Sequence, residues 1–368
     1  MVGLVKNRFG IFPADREASK MIPNVLTLTA AALCIASIGV ANAADVLLIP
    51  DSNSDNIWMF DAHDGTMISN SFITDPGVDS GTDVFDRPME VLVAADGSLL
   101  VCDQFSDLVA HFSSDGSAYL GIFSLGGTVD NNIMQNIRGG HVLTQGDGAG
   151  DVLVANSGAF NDLVVSQKNI KRLSPTDGSE LADFAFNRYG GIRGPFDIIE
   201  YNGQVLVADE GQDKIVRYTL GGKFAERFTS ALAVPQLDFP QQMAVASNGN
   251  LLVCAFSSGF ILEFDSSGSL VGQYDPGTLE LYRGIVELGN GNLLVTTTSG
   301  VFEVSRTGLV IDTEAAGSGF RYITPHTVVV PRLDQGSDQK LKNPVAQPDQ
   351  RDRDEILRDE LGLTEEGS

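Results

Sequence analysis

Residues 194–228 read GPFDIIEYNGQVLVADEGQDKIVRYTLGGKFAERF, and this stretch decides the fold. It contains four short apolar runs, which end at Asn202-Gly203, at Asp209, at Gly221-Gly222 and at Phe228. Runs of four to six residues rich in Val, Ile, Leu and Phe, bounded by Gly, Asn and Asp, are typical of β-strands joined by tight turns. The stretch therefore predicts one sheet of four antiparallel strands.

The same pattern recurs along most of the chain. A turn glycine between the third and fourth apolar runs marks each copy, at spacings of 40 to 62 residues. These glycines are Gly65, Gly116, Gly178, Gly222, Gly268 and Gly308. Four-stranded repeats of this length are typical of β-propellers, in which each repeat forms one blade.

The two ends of the repeat region complement each other. Asp45–Asp51 matches the second strand of a blade, and no first strand precedes it. The missing strand is found at the far end, in Thr327–Pro331. A blade shared between both ends closes the ring and hides the sheet edges. We therefore predict an all-β, six-bladed β-propeller with four-stranded antiparallel blades.

The repeat resembles that of NHL-repeat propellers. The resemblance rests on Gly194–Ile198, Asn202–Asp209 and Asp213–Val216, with similar patterns in Pro88…Asp103 and Pro240…Cys254. It covers about residues 45–331 and implies the six-bladed fold. It leaves the function open, because such propellers serve as scaffolds, binding proteins and enzymes.

The segments outside the repeats predict export and a charged tail. Residues 1–43 are typical of a signal peptide, with a basic leader, an apolar run and the small-residue cleavage site Ala41-Asn42-Ala43; either Met1 or Met21 would serve as the start. The propeller is expected over 44–332. Residues 333–368 form an acidic tail, which we expect to be disordered or partly helical, with a charged helix within 349–361.

The charge limits the partners. The chain carries a net charge of −24, and removal of the basic leader makes it more negative. Nucleic acids require clustered Lys and Arg, so nucleic-acid binding is not expected. Stable membrane insertion is not expected either, because the leader's apolar run is short and is followed by a cleavage site. We expect a periplasmic or extracellular protein.

The longest connections are expected on one face. The starts of the first strands, the loops between blades and the turns between second and third strands share that face, around the mouth of the central channel. The long segments that fall there are Asp75–Arg87, Ser124–Arg138, Ser157–Lys168 and Asn187–Gly194. Long loops on a rigid scaffold often carry function, so the channel mouth is the expected site.

The first strands open on a pattern Pro-x1-x2, followed by Val, Ile or Met. Blade three lacks the proline, so its alignment holds only to within one residue. Position x1 is assigned to Met89, Gly140, Phe196, Gln241, Arg283 and His326. Position x2 is assigned to Glu90, His141, Asp197, Gln242, Gly284 and Thr327. The candidate ligand-binding residues at the mouth are Glu90, His141, Asp197, Gln242, Arg283 and His326.

Three interpretations of this ring stay open. It could line a polar, water-filled channel, bind a ligand without metal, or hold a divalent metal, since imidazole and carboxylate groups suit Zn²⁺ and carboxylates suit Ca²⁺. The acidic residues Asp75, Asp79, Asp83 and Asp86 are a second candidate for calcium.

Two groups of enzymes resemble the chain more distantly. Gluconolactonase-like propellers carry metal-binding Asn and Asp at x1, and this chain has neither residue there. Streptogramin-type and amidating lyases use histidines that face the channel, and Pro325-His326 resembles their strand openings. The sequence therefore predicts a propeller that binds a small molecule, glycan or protein at its mouth. The alternative is a metal-dependent lyase or hydrolase with its active site in the same place.

Overall fold

A computed structural model describes residues 42–77, 84–125, 134–158, 168–186, 191–277, 281–330 and 353–361. Within them the chain forms six four-stranded antiparallel sheets and one α-helix, which confirms the six-bladed propeller. Most of the predicted signal peptide and most of the tail lie outside the described residues, as do parts of every long mouth segment.

The strands follow the repeat in chain order. Blade one contains β1 (Asn42–Asp51), β2 (Asn56–Asp61) and β3 (Met67–Thr74). Blades two and three contain β4 (Pro88–Val93), β5 (Leu99–Asp103), β6 (Leu108–Phe112), β7 (Tyr119–Leu125), β8 (Ile137–Val142), β9 (Val152–Asn156), β10 (Asn169–Leu173) and β11 (Ala185–Phe186). Blades four and five contain β12 (Pro195–Tyr201), β13 (Gln204–Asp209), β14 (Lys214–Thr219), β15 (Phe224–Ser230), β16 (Pro240–Val245), β17 (Leu251–Ala255), β18 (Phe260–Phe264) and β19 (Leu270–Tyr274). Blade six contains β20 (Tyr282–Glu287), β21 (Leu293–Thr297), β22 (Gly300–Val304) and β23 (Val310–Ala316), and it is followed by β24 (Thr324–Val330) and α1 (Arg353–Leu361).

Blade one takes strands from both ends of the propeller. Its sheet has the order β24-β1-β2-β3, so its innermost strand comes from the far end of the chain. β1 pairs antiparallel with β24 from Asn42 opposite Val330 to Leu48 opposite Thr324. Cleavage after Ala43 would remove only the first two residues of β1. A strand pairing between the two ends holds the ring closed.

Six apolar clusters fill the interfaces between neighbouring blades. The interface between blades six and one, for example, contains Leu47, Phe60, Leu294 and Val301. The second strand of each later blade is buried, apart from the half-buried Gln204, because its two faces pack against two neighbouring sheets. This explains why these strands are continuous apolar runs rather than alternating ones.

The turn glycines have two structural reasons to be glycine. Gly222 has a φ of +80°, which is a left-handed conformation that side chains disfavour. A Cβ on Gly222 would also lie only 2.0 Å from the carbonyl oxygen of Phe184 in the preceding blade. This turn of blade four thus packs directly against the backbone of the neighbouring blade, as do the turns at Gly178 and Gly268.

Candidate functional site

Strand pairing fixes which residues occupy positions x1 and x2. In blade two, Pro88 lies opposite Asp103 and Glu90 lies opposite Cys102. In blade three, Ile137 lies opposite Asn156 and Gly140 opposite Val154, which places Arg138 at x1 and Gly139 at x2. The structure therefore gives a different set for x1: Met89, Arg138, Phe196, Gln241, Arg283 and Arg321. The set for x2 is Glu90, Gly139, Asp197, Gln242, Gly284 and Tyr322.

The two histidines assigned to the ring lie elsewhere. In blade three the expected proline is replaced by Ile137, so His141 lies two residues beyond x2, where its Nε2 is 3.3 Å from Glu200 Oε2. In blade one Phe320 takes the place of the proline, through a bridge to Asp51. Pro325 instead lies within β24, opposite Leu47. β24 is an innermost strand with one free edge, and proline is tolerated there.

His326 is consequently five residues past x1. Its Nε2 lies 2.8 Å from the carbonyl oxygen of Ser114, in the turn between β6 and β7. Neither histidine joins Glu90, and the donor set that motivated the metal-dependent alternative is not assembled. Within the described ranges no three His, Cys, Asp or Glu side chains form a group that could hold a metal.

The acidic loop is only partly described. Asp75 Oδ1 accepts hydrogen bonds from the backbone N–H groups of Gly77 (3.2 Å) and Val84 (3.1 Å). The Asp86 N–H donates to Asp103 Oδ2 at 3.0 Å. Asp79 and Asp83 lie outside the described residues. The calcium hypothesis for this loop stays a prediction.

The polar side chains at x2 connect the blades to one another. Glu90 Oε2 accepts a hydrogen bond from the N–H of Gly140 at 2.7 Å, which links blades two and three. Asp197 Oδ2 accepts from the N–H of Met243 at 2.7 Å, which links blades four and five. Gln242 Oε1 accepts from both Ile285 and Ile323 at 2.9 Å, which links blades five, six and one. These three side chains therefore satisfy backbone donors of neighbouring blades.

The remaining x2 positions make room for this arrangement. A Cβ on Gly139 would lie 2.7 Å from Glu90 Oε2 and 2.8 Å from the carbonyl oxygen of Phe196. Tyr322 is fully buried, and its hydroxyl has no hydrogen-bond partner among the described residues. The x2 ring is a packed layer of side chains across the channel.

Burial favours the protonated form of the x2 carboxyl groups. Burial raises the pKa of Asp197 to about 7, and the hydrogen bonds from Met243 and Ile198 offset only part of this effect. Burial, together with the charge of Asp197, raises the pKa of Glu90 well above its usual range. Two like charges held close together disfavour ionisation of both.

Position x1 carries a different chemistry, because three of its residues are arginines. Arg138, Arg283 and Arg321 are 1%, 0% and 2% exposed. A buried guanidinium is costly unless an anion or several acceptors pair with it. In this protein the pairing anion is supplied by α1, near the C-terminus.

Glu360 of α1 lies in the middle of these arginines. Its Oε1 is 2.5 Å from Arg283 Nε and 2.6 Å from Arg321 Nη1, and its side chain is fully buried. The Gln241 amide donates to Oε2 at 3.2 Å, and Arg138 Nη1 donates to the Glu360 carbonyl oxygen. Burial alone would raise the pKa of Glu360, but the surrounding arginines, Arg283 foremost, hold it at about 2.

An aromatic floor lies beside the arginines. Phe196, Phe239, Phe256 and Tyr322 form one buried cluster with Ile356 of α1. Leu357 and Leu361 of α1, and Leu281 of blade six, pack against the same cluster. The Arg138 guanidinium stacks over the Phe196 ring at 4.5 Å, so the cationic and aromatic parts form one surface. We call this surface, formed by Arg138, Phe196, Gln241, Phe256, Arg283 and Arg321, the arginine mouth.

The structure places four of the six predicted site residues at the ring. Glu90, Asp197 and Gln242 lie at x2, and Arg283 lies at x1. The sequence interpretation missed Arg138, Arg321 and Glu360. One signal was available for Arg138, because Arg138-Gly139 and Arg283-Gly284 are the same dipeptide at the same register.

Comparisons with known proteins agree with the fold. No protein-family model matches the chain, and no curated protein matches its sequence. The match to the structure of a protein of unknown function from Bacteroides caccae covers 77% of this chain and 99% of that chain, at 14% identity and a TM-score of 0.51. A structure of a nidogen/laminin complex covers 77% of this chain and 98% of that chain, at 13% identity and a TM-score of 0.58.

A lyase of the same fold is also similar. A catalytically inactive variant of virginiamycin B lyase from Staphylococcus aureus, in a structure with quinupristin, covers 79% of this chain and 94% of that chain. Its identity is 13% and its TM-score 0.50. At these identities the likeness concerns the fold alone, and the protein is a six-bladed β-propeller of the kind that includes both binding proteins and enzymes. In the described part of the chain, no helix has the length and apolar character to cross a bilayer.

Proposed function

We propose that this protein is an exported, NHL-type binding propeller that takes its ligand at the arginine mouth. The observation that carries the proposal is the burial of three arginines on the loop-rich face of a strongly acidic protein. Their principal carboxylate partner comes from outside the ring, on α1. Stability alone does not favour such a cluster, because a buried ion pair can often be replaced by well-packed apolar residues without loss.

The ligand class within this proposal is a small molecule, a glycan or a protein that presents an anionic group. A guanidinium pairs with a carboxylate or phosphate through directed hydrogen bonds, and an aromatic floor next to it suits an apolar neighbour of that anion. Export to the periplasm or the extracellular space follows from residues 1–43, which have the features of a cleaved signal peptide.

An enzymatic role has weaker support. It depended on His141 and His326 joining Glu90, and each histidine has a partner away from the ring. The x2 carboxyl groups bind backbone N–H groups and lie beneath the arginine mouth.

A ligand panel tests the proposed binding surface. Thermal shift measurements would compare organic acids, acidic oligosaccharides and acidic peptides on the wild-type chain and on an Arg283→Met variant. Arg306→Met is the matched control, because Arg306 also forms two ion pairs, with Glu263 (3.1 Å) and Glu287 (2.5 Å), in a cleft of about 380 Å³ between blades five and six.

We expect the stabilising ligands to lose their effect in Arg283→Met and to retain it in Arg306→Met. Ligands whose effect survives Arg283→Met and disappears in Arg306→Met would place binding in the cleft and contradict the proposal.

A further inference from the structure

Helix α1 occupies the arginine mouth in the structure. Ile356, Leu357, Glu360 and Leu361 are spaced so that they share one face of α1. All four are buried or half-buried, whereas Arg358 is exposed. The face that α1 presents to the propeller is therefore apolar, with a single carboxylate.

The propeller recognises both the side chain and the backbone of this helix. Arg283 and Arg321 bind the Glu360 carboxylate, and the Gln241 amide contributes a further donor. Arg138 donates to the Glu360 carbonyl oxygen, and Asn136 Nδ2 donates to the Leu361 carbonyl oxygen at 3.2 Å. The last turn of a helix leaves its carbonyl groups without partners inside the helix, so these donors select a helix end.

The occupant α1 is a short helix. The helix has nine residues, and isolated helices of that length are marginal in water. It gives the aromatic floor three apolar side chains. Residues 331–352 separate it from β24, and a ligand tethered to its site acts at an effective concentration on the order of mM. A tethered ligand can thus fill a site for which its intrinsic affinity is modest.

We propose that the arginine mouth is a receptor site for an acidic helix of a partner protein, and that α1 is the occupant the chain itself supplies. This inference rests on the proposed function and specifies its ligand. The partner helix presents one glutamate near its C-terminal end, with apolar residues three and four positions before it and one directly after it. Displacement of α1 exposes the arginines and the aromatic floor to that helix.

A labelled peptide with the sequence of residues 351–363 tests the inference in trans. The receptor is the full-length chain carrying Glu360→Arg, because a fourth cation among the three arginines evicts its own α1. Thermal unfolding of this variant checks that its propeller is intact. We expect fluorescence anisotropy to show peptide binding at least tenfold tighter to Glu360→Arg than to the wild-type chain, whose mouth is occupied.

Two peptide variants and one receptor variant define the contacts. A peptide with Glu360→Gln should bind at least tenfold more weakly, and one with Arg358→Gln should bind like the original. A receptor that carries both Glu360→Arg and Arg283→Met should lose the binding. The inference is overturned if the folded Glu360→Arg chain does not bind the peptide, or if it binds equally well with Arg283→Met.

The outcomes also separate this inference from the proposed function. If other anionic ligands still depend on Arg283 while the peptide fails to bind, the mouth is a binding site and the helix assignment is wrong. If no ligand depends on Arg283, both fail.

Discussion

Positions x1 and x2 are neighbours at the openings of the six innermost strands, yet they have different roles. At x2, Glu90, Asp197 and Gln242 satisfy backbone donors of adjacent blades and fill the channel. At x1, Arg283 and Arg321 meet the carboxylate of Glu360, from a distant part of the chain, and Arg138 donates to its carbonyl oxygen. The hydrogen bonds of these x2 side chains lie within the propeller, whereas the x1 arginines also bind α1. Substitutions at x2 should therefore change the stability of the fold, and substitutions at x1 should affect what docks on it.

The largest effect is expected from Gly139→Ala at x2. A Cβ there would meet Glu90 Oε2 and the Phe196 carbonyl oxygen at distances below 3.0 Å, and the second of these is backbone. Overpacking of this kind costs about 3 kcal/mol of the free energy of unfolding. Chemical denaturation measures it. Gly221→Ala is the matched control, because a Cβ there would have only Thr219 Oγ1 within 4 Å, at 3.9 Å.

Acid should release α1 before it unfolds the propeller. The pKa of Glu360 is about 2 when α1 is docked, because the arginines outweigh its burial, and it returns towards about 4.3 when α1 is released. The lowered pKa of Glu360 makes the docking of α1 more favourable above about pH 4.3. This contribution is lost as the pH falls towards 2. The docking equilibrium should weaken by roughly 100-fold across that range.

Methyl NMR at pH 6 and pH 3 measures this release. The signal of Ile356 should be shifted at pH 6 by the rings of the aromatic floor, and it should move towards a random-coil position at pH 3, where docking is weakened by roughly 20-fold. The methyl signal of Ile285, which lies in the core between blades five and six, is the control. An Ile356 signal that changes only together with Ile285 would contradict independent release.

The x2 carboxyl groups should have the opposite dependence on pH. A carboxyl group with a raised pKa in the folded state stabilises the protein below about pH 4. This contribution is lost as the pH rises through the pKa of the folded state, which is about 7 for Asp197. Glu90→Gln keeps the acceptor for Gly140 and removes the charge that faces Asp197. We expect the variant to match the wild type at pH 4 and to be more stable by about 1–2 kcal/mol at pH 8.

Urea denaturation at both pH values measures this difference. A variant that is less stable than the wild type at pH 8 would show that Glu90 is ionised and favourably paired in the folded protein.

The smallest effect is expected from His326→Ala and His141→Ala. Both side chains are only half-buried and lie away from the arginine mouth. Each substitution should change the free energy of unfolding by less than about 1 kcal/mol, because surface contacts contribute little. Ligand binding at the mouth should be unchanged in both. Loss of binding in either variant would show that its histidine belongs to the binding site.

Sequence and structure agree wherever the repeat is regular. Pro88, Pro195 and Pro240 each open an innermost strand at the same register, so Glu90, Asp197 and Gln242 were correctly aligned. Tyr282, Ile137 and Phe320 replace that proline in blades six, three and one. The alignment stayed correct in blade six, but in blades three and one it shifted and brought His141 and His326 into the ring. Pro325 resembles an opening proline, but it lies within β24, because an inner edge strand accepts proline within its length.

The occupant of the mouth could not be read from the sequence. A helix within 349–361 was expected from its charge pattern alone, but nothing local to Glu360 marks it as buried. Its burial depends on three arginines that come together only when blades three, six and one close the ring. Such a contact is set by tertiary structure rather than by any local pattern.

Native-state hydrogen exchange at neutral pH tests the central claim most directly, because it reports the opening of α1 and of the propeller in the same sample. We predict that the amides of α1 exchange at least 100-fold faster than those of β13, and that Arg283→Met accelerates α1 by a further tenfold or more while Arg306→Met leaves it unchanged. Exchange of α1 at the rate of β13, insensitive to Arg283→Met, would show that α1 is a permanent part of the propeller and would contradict the account.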